Sequence, residues 1–290
     1  MISIICKSRR PELWIDFYNQ FFTTKVDFEI IFIGPFKPKS KLPKQCRFIH
    51  TIVKPSQCAE IGYLSAKGDY IMEIGDDLVI KNSKPLEIIQ KKIEKQKNIF
   101  FLMSHQAISY GDKLIKSHKE YNNLVIPFSP IISKKVFNLV KGIDSNFIAV
   151  MYEVDLYLRM MQKGCKVIFS GLTFYERKRS LLEPTLFGDY SNLDKKYFSS
   201  IWKVNDVFNF NSKRKVKYFK KNNLLSASQH PQGKWSYKSF ILFYLMQSNF
   251  KNRILKIFRL DFPLFHGIYY SNKNNFLIKK LSRVIKYLFY

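Results

Sequence analysis

Acidic residues are scarce in this chain. Against 49 Lys and Arg stand only 22 Asp and Glu among 290 residues, a formal charge of +27. That imbalance attracts polyanions: nucleic acid, anionic lipid or phosphorylated substrates. A Lys, Asn and Ile bias of the kind an AT-rich genome imposes would produce part of the same excess. Cysteine is rare too. Cys6, Cys46, Cys58 and Cys165 form no CxxC pair and have no His at zinc-finger spacing, which argues for free thiols in a reducing compartment. The five histidines (His50, His105, His118, His230 and His266) make no ligand cluster by spacing. No Gly-rich phosphate loop of the P-loop or dinucleotide type is present, which argues against an ATPase or an NAD enzyme. The longest uninterrupted apolar run in the tail, Phe240 to Met246, falls far short of the roughly 20 residues that span a bilayer. At the start, Ile2 to Cys6 precedes Lys7, Arg9 and Arg10, which reads as a strand and not as a signal peptide. The expected location is cytoplasmic.

What is present has a regular order. Ile2–Cys6 is a buried-strand run, and Glu12 to Phe22 carries Leu13, Trp14, Phe17, Tyr18, Phe21 and Phe22 near helical spacing. Phe28–Ile33 is a second strand stopped by Gly34-Pro35, and Phe48–Val53 a third. Ser56 is placed to cap a helix running to about Lys67, with Gly68 as its left-handed stop. A strand from Tyr70 breaks at Gly75. Pro85–Gln96 reads as a surface helix, Ile99–Met103 as a strand, and Val125–Ile132 as an extended stretch. Ser133 caps a helix to Leu139 or Val140, Tyr152 to Lys163 is a helix with acid at its start and Gly164 after its end, and Cys165–Ser170 is a further strand. Alternating strand and helix predicts the α/β class with a doubly wound, mostly parallel sheet.

The centre of the pattern is Gly75-Asp76-Asp77, delivered just past the strand's carboxyl end, where open α/β sheets bind ligands. Adjacent carboxylates repel, so such a pair stays in water or meets a cation.

Four local patterns in order resemble an inverting glycosyltransferase of the GT-A fold, in the large family 2 of nucleotide-sugar-dependent enzymes. They are the opening strand running into Arg9-Arg10-Pro11, the stretch Ala66-Lys67-Gly68-Asp69-Tyr70, the acidic Gly75-Asp76-Asp77, and Glu153 to Arg159 followed by Gly164. The likeness spans Met1 to Arg179. It implies that Asp77 holds a divalent metal, Mn²⁺ or Mg²⁺, that Asp76 lies near the donor's ribose or sugar, and that Glu153 is the general base with Asp155 in support. Gly75 stands where the family often has a first aspartate. Where many members carry a histidine after the next strand, this chain has Glu176, a substitute metal ligand, followed by Arg177-Lys178-Arg179. Arg177 and Arg179 could hold diphosphate oxygens, or the triplet is a solvated charged turn. Arg9 and Arg10 are candidates for the nucleotide pocket. Glu153 and Asp155 also suit a helix start without any catalysis, where a carboxylate stabilises the macrodipole by about 0.3–1 kcal/mol.

The expected organisation is a catalytic domain over 1–180 and a basic, aromatic-rich, helical extension over 181–290. Lys213 to Lys221 interleaves cations with aromatics, which suits nucleic acid or a solvated surface. Leu277, Ile278, Leu281, Val284, Ile285 and Leu288 share one helical face opposite Lys279, Lys280, Arg283 and Lys286, and Phe250 to Arg259 repeats the theme. Such faces suit the inner surface of an anionic membrane, or packing on the catalytic domain. The implied function is metal-dependent, inverting sugar transfer from a nucleotide-sugar donor to a glycan or glycolipid acceptor, with nucleic acid not expected as a partner. The alternative is a non-catalytic basic protein that keeps the fold and binds nucleic acid or anionic membrane.

Overall fold

A computed structural model describes residues 1–38, 40–108, 129–176, 188–204, 210–212 and 215–225, with short strands at 114–115, 118–121 and 124–127. The apolar alternation at the start of the chain becomes β1 (Ile2–Lys7), which sits inside the sheet. Ile2, Ile4 and Cys6 face one layer and Ile5 the other, and all are buried. Each such side chain is worth about 1.5–3 kcal/mol, and a one-residue slip would turn the whole set around, so the register is firmly held.

Pro11 opens a 3₁₀ turn that leads into α1 (Trp14–Asn19). The helix is shorter than the Glu12–Phe22 periodicity predicts. Phe21 N–H donates to Tyr18 O at 2.9 Å, a tightened final turn, and Phe22 is left 58% exposed. Trp14 stacks on Phe32 with centroids 4.4 Å apart. β2 (Phe28–Gly34) pairs parallel with β1, and β3 (Cys46–His50) parallel with β2. β3 begins and ends earlier than its apolar run, and Thr51 N–H donates the last bond of its parallel ladder to Gly34 O at 2.9 Å.

α2 (Pro55–Ser65) starts from Lys54 with Pro55 at its first position. Ser56 is not its cap; its hydroxyl donates to Phe147 O at 2.7 Å. Gly68 is not a left-handed stop either. The helix ends in extended backbone at Ala66, and Gly68 is needed for close approach: its N–H donates to Ser3 Oγ at 2.8 Å, and a Cβ there would meet Met1 O at 2.7 Å.

β4 (Tyr70–Glu73) runs parallel to β1, and the Gly75–Asp77 turn reverses the chain into β5 (Leu78–Ile80). After α3 (Pro85–Glu94) come β6 (Phe101–Ile108), the short β7 (Leu114–Ile115) that pairs with it, and the hairpin of β8 (His118–Tyr121) and β9 (Leu124–Pro127). β10 (Ile131–Ser133) lies antiparallel between β4 and β6. α4 (Lys134–Leu139) is capped as expected, Ser133 Oγ accepting from Val136 N–H at 3.2 Å. α5 (Tyr152–Gln162) and β11 (Lys166–Glu176) follow.

The main sheet runs β3-β2-β1-β4-β10-β6-β11-β5. β3, β2, β1, β4, β6 and β11 point the same way; β10, β5 and β7 oppose them. The class is therefore the expected mixed α/β with a mostly parallel sheet. One core includes residues of α1 and α3, the other residues of α2, α4 and α5. The cysteines are free, and burial pushes the Cys58 thiol up to about 12 and Cys165 to about 11.

Part of the 181–290 stretch is built into this core. In α6 (Gly188–Ile201) and just beyond it, Phe198 and Trp202 join the α2/α4/α5 cluster, as does Phe219. The backbone of Tyr218 bridges to Asp144, so of the two aromatics in the basic stretch Phe219 is buried in the core and Tyr218 is exposed. The amphipathic stretches after residue 225, and Lys213 and Arg214, lie outside the described residues. Among those described, no helix is long and apolar enough to cross a membrane.

Lys54 is the unusual group at this junction. It is fully buried, donates to Ser145 O, and stands 5.1 Å over the Phe219 ring. Burial lowers its titration to about 7, against the pull of Asp194 and Asp144. Unfolded, Lys54 holds its proton up to its ordinary value of 10.5, so between about 7 and 10.5 the unfolded chain binds the extra proton and stability rises with pH. The expected result is that urea midpoints climb from pH 7 to 9 more steeply in the parent than in Lys54→Met. Parallel slopes would refute it.

Candidate active site

In the sheet β1 has β2 on one side and β4 on the other, so chain order reverses at β1, and the carboxyl ends of β1 and β4 form the switch point at which open α/β sheets have their ligand crevice. Each strand delivers one segment into it: Ser8 to Arg10 after β1, and Gly75 to Asp77 after β4. Asp76 is only 1% exposed, and its two oxygens accept from Ser8 Oγ and from the Arg10 guanidinium. The same guanidinium reaches Asp77 at 3.2 Å. Ser8 is held in turn by Trp14 Nε1–H at 2.6 Å and accepts from Arg10 N–H at 3.1 Å. Burial disfavours the Arg10 charge, but the facing Asp76 and Asp77 outweigh it and raise its titration further. Arg10 is brought onto the aspartates, and Arg9, half-buried, is its neighbour in the turn.

Gly75 shapes the pair. A Cβ at Gly75 would lie 2.5 Å from Asp77 Oδ1, so the missing side chain is what lets Asp77 fold back beside Arg10. Where Gly75 departs from a triple-acid pattern, it makes room for the second carboxylate.

On the other face of β1 and β4 a second polar group gathers. Lys7 Nζ lies 2.7 Å from Glu73 Oε1, hydrogen-bonds the Tyr152 hydroxyl, and stands 4.4 Å from the Tyr152 ring centroid. The Tyr152 hydroxyl donates to the same Glu73 oxygen. Burial opposes the Lys7 charge, yet Glu73 and Glu153 outweigh it and raise its titration. Glu153 is the next residue of α5, in its first turn.

The approach to α5 is tightly held. Asp194 of α6 accepts from the N–H groups of Ile148, Ala149 and Val150 at 2.9, 2.7 and 2.9 Å. Met151 then takes φ +63°, a left-handed conformation that costs a non-glycine residue about 1–3 kcal/mol and is found where surrounding contacts enforce it.

Asp155 turns elsewhere. Two residues apart on a helix face different ways, and Asp155 is fully buried. Its oxygens accept from Arg159 Nε at 3.0 Å and Trp202 Nε1 at 2.8 Å, while Arg159 also bonds Val140 O and Gly142 O at 2.9 and 2.8 Å. The resemblance gave Asp155 as support for the base; in the structure its carboxylate anchors α5 and the end of α6. Glu176 ends β11, paired with Leu78, but its side chain lies outside the described residues, as do Arg177 and Arg179.

Ser8, Lys7, Glu73 and Tyr152 escaped the reading of the sequence. Glu73 had a signal, an acid inside the apolar strand Tyr70 to Ile74; the others had none that sets them apart from surface residues. Among the described residues, no three His, Cys, Asp or Glu side chains gather as metal ligands. Asp77, with 16% of its side chain exposed, suits a hard ion that completes its shell with water and phosphate oxygens, sharing the carboxylate with Arg10.

No family model matches the sequence, and no curated protein does. Solved structures of S. aureus TarS are similar in shape. One matches at 9% identity over 61% of this chain and 36% of its own, with a TM-score of 0.47. TarS 1–349 matches at 10% over 93% and 80% (TM-score 0.49), and TarS 1–349 in complex with UDP-GlcNAc at 11% over 95% and 74% (TM-score 0.45). The chain thus spans about a third of the first structure's length. With identities near a tenth and TM-scores under 0.5, the functional reading rests on the geometry of the crevice.

Proposed function

We propose that this chain is a GT-A-type, inverting glycosyltransferase that moves a sugar from a nucleotide-diphosphate donor to a hydroxyl of a glycan or lipid-linked glycan. The observation that supports it is the crevice itself: Arg10, Asp76 and Asp77 at the switch point between β1 and β4, and Glu153 presented by α5 beside the other face of those strands.

In this reading Asp76 acts through Arg10. With both oxygens engaged, it fixes the guanidinium at the mouth of the crevice, where it meets the donor's diphosphate as a planar fork. Asp77 holds Mn²⁺ or Mg²⁺, with Glu176 a second ligand and Arg177 and Arg179 further diphosphate contacts. When bound, the ion supplies positive charge to the departing diphosphate. Glu153 takes the proton from the acceptor hydroxyl as its oxygen attacks the anomeric carbon. The basic tail lies at the inner face of an anionic membrane, which suits a lipid-linked acceptor.

The test is calorimetric titration of UDP, GDP, CDP and dTDP into the full chain, with and without Mn²⁺. One nucleotide binds in a Mn²⁺-dependent manner, and Asp77→Asn weakens that binding by at least about tenfold, the equivalent of about 1.4 kcal/mol. Failure of the folded chain to bind any of the four would overturn the proposal.

A further inference from the structure

The mechanism above leaves Lys7 and Glu73 unused, although Glu73 is buried, Lys7 keeps only 26% of its side chain exposed, and Lys7 feels the charge of the residue assigned as base. The groups around Lys7 are Glu73 on β4, Tyr152, Glu153 and Tyr157 on α5, and Tyr63 and Cys58 on α2. Burial pushes the Tyr63 and Tyr157 phenols well up, and the Cys58 thiol to about 12. The charge-bearing members of the group are therefore one amine and two carboxyl groups. Glu73 is inside the sheet and cannot turn to water. A pair of carboxylates sharing a poorly hydrated site does not stay doubly ionised without a cation between them.

Resting on the glycosyltransferase reading, we infer that Lys7 is the positioning cation of the general base: pinned by Glu73 and Tyr152, it is the counter-ion that keeps Glu153 ionised and able to accept the acceptor's proton. The geometry is specific to that task. Glu73 and the Tyr152 hydroxyl hold the ammonium against the first turn of α5, and Tyr152 is the neighbour of Glu153 in that turn. Asp194 and the left-handed Met151 set that turn's entry, so the distance from Lys7 to the base does not depend on an exposed loop end. Lys7 and Glu73 act on Glu153 in opposite senses. Lys7 favours its ionised form, whereas Glu73 competes with it for the single cation.

That opposition gives the test. The Glu153 carboxyl is followed by ¹³C NMR titration of the full chain, its signal identified by its loss in Glu153→Gln, and the pH profile of transfer is measured in parallel. Lys7→Gln raises the Glu153 midpoint and the acid limb of the profile by about one pH unit or more, since a facing opposite charge is worth that much. Lys7→Arg restores both. Glu73→Gln keeps an oxygen for Tyr152 and moves both the other way, to lower pH. A structural defect does not produce shifts of opposite sign. A Glu153 midpoint unmoved by Lys7→Gln or by Glu73→Gln overturns the inference, and if Lys7→Gln does not fold, Glu73→Gln decides alone. The NMR arm needs no catalysis, so absent transfer in the parent chain would refute the glycosyltransferase reading and still leave the role of Lys7 measurable.

Discussion

Glu153→Gln lowers sugar transfer by about 10²- to 10⁴-fold, the range that a positioned general base contributes. Glutamine keeps the length and shape of the side chain in the first turn of α5 but cannot accept the acceptor's proton. In the proposed mechanism Glu153 acts on the acceptor hydroxyl, so nucleotide affinity stays within about twofold and the loss falls on kcat. A helix start gains about 0.3–1 kcal/mol from an acid there, so thermal stability changes little. Steady-state kinetics and nucleotide titration on the same preparation separate these effects. Transfer at the parent rate would remove Glu153 from the chemistry and leave it as a helix-dipole residue.

Asp155→Ala, only two residues away, has the opposite character: it costs about 3–5 kcal/mol of folding stability, the usual penalty for breaking a buried ion pair. The loss is large because Arg159 keeps its charge. Without Asp155 the guanidinium keeps the Val140 and Gly142 carbonyls but loses its paired carboxylate, and the Trp202 indole N–H loses its acceptor. Against a typical total of about 5–15 kcal/mol, this removes a large share of the stability and frees the end of α6. Urea denaturation of Asp155→Ala, Arg159→Met and the double variant measures it, the double variant losing less than the sum of the two. A loss under about 1 kcal/mol would return Asp155 to the candidate catalytic residues.

The contrast between Glu153 and Asp155 marks how far the sequence could be read. Both are acids at a helix start, and nothing in their order distinguishes a residue beside Lys7 from one turned to Trp202. Gly75-Asp76-Asp77 was legible because an apolar strand interrupted by glycine and acid is a local signal, and local sterics carry it. Arg10 was legible as a candidate by position, but its reach to both aspartates was not. Ser56 and Gly68 illustrate the reverse error. Each is the right residue type for a helix cap, and each is claimed instead by a distant strand or loop, Phe147 and Ser3, whose hydrogen bonds outweigh the local preference.

The sequence by itself determined the alternation of strand and helix, the two-faced burial of β1 and β2, the Ser133 cap and the turn that carries the acidic pair. These depend on side-chain periodicity and on backbone conformations open to a few residue types, both of which act within about ten positions. Only the tertiary structure decided which polar groups meet. Arg10 joins Asp76 across 66 positions, Tyr152 joins Glu73 across 79 and Lys7 across 145, and Asp194 closes on Ile148 across 46. A charge inside a protein keeps its ionised form only through such partners, since burial alone would neutralise it. Which carboxylates of this chain are bases, ligands or struts is therefore a property of the sheet order and of the helices laid upon it.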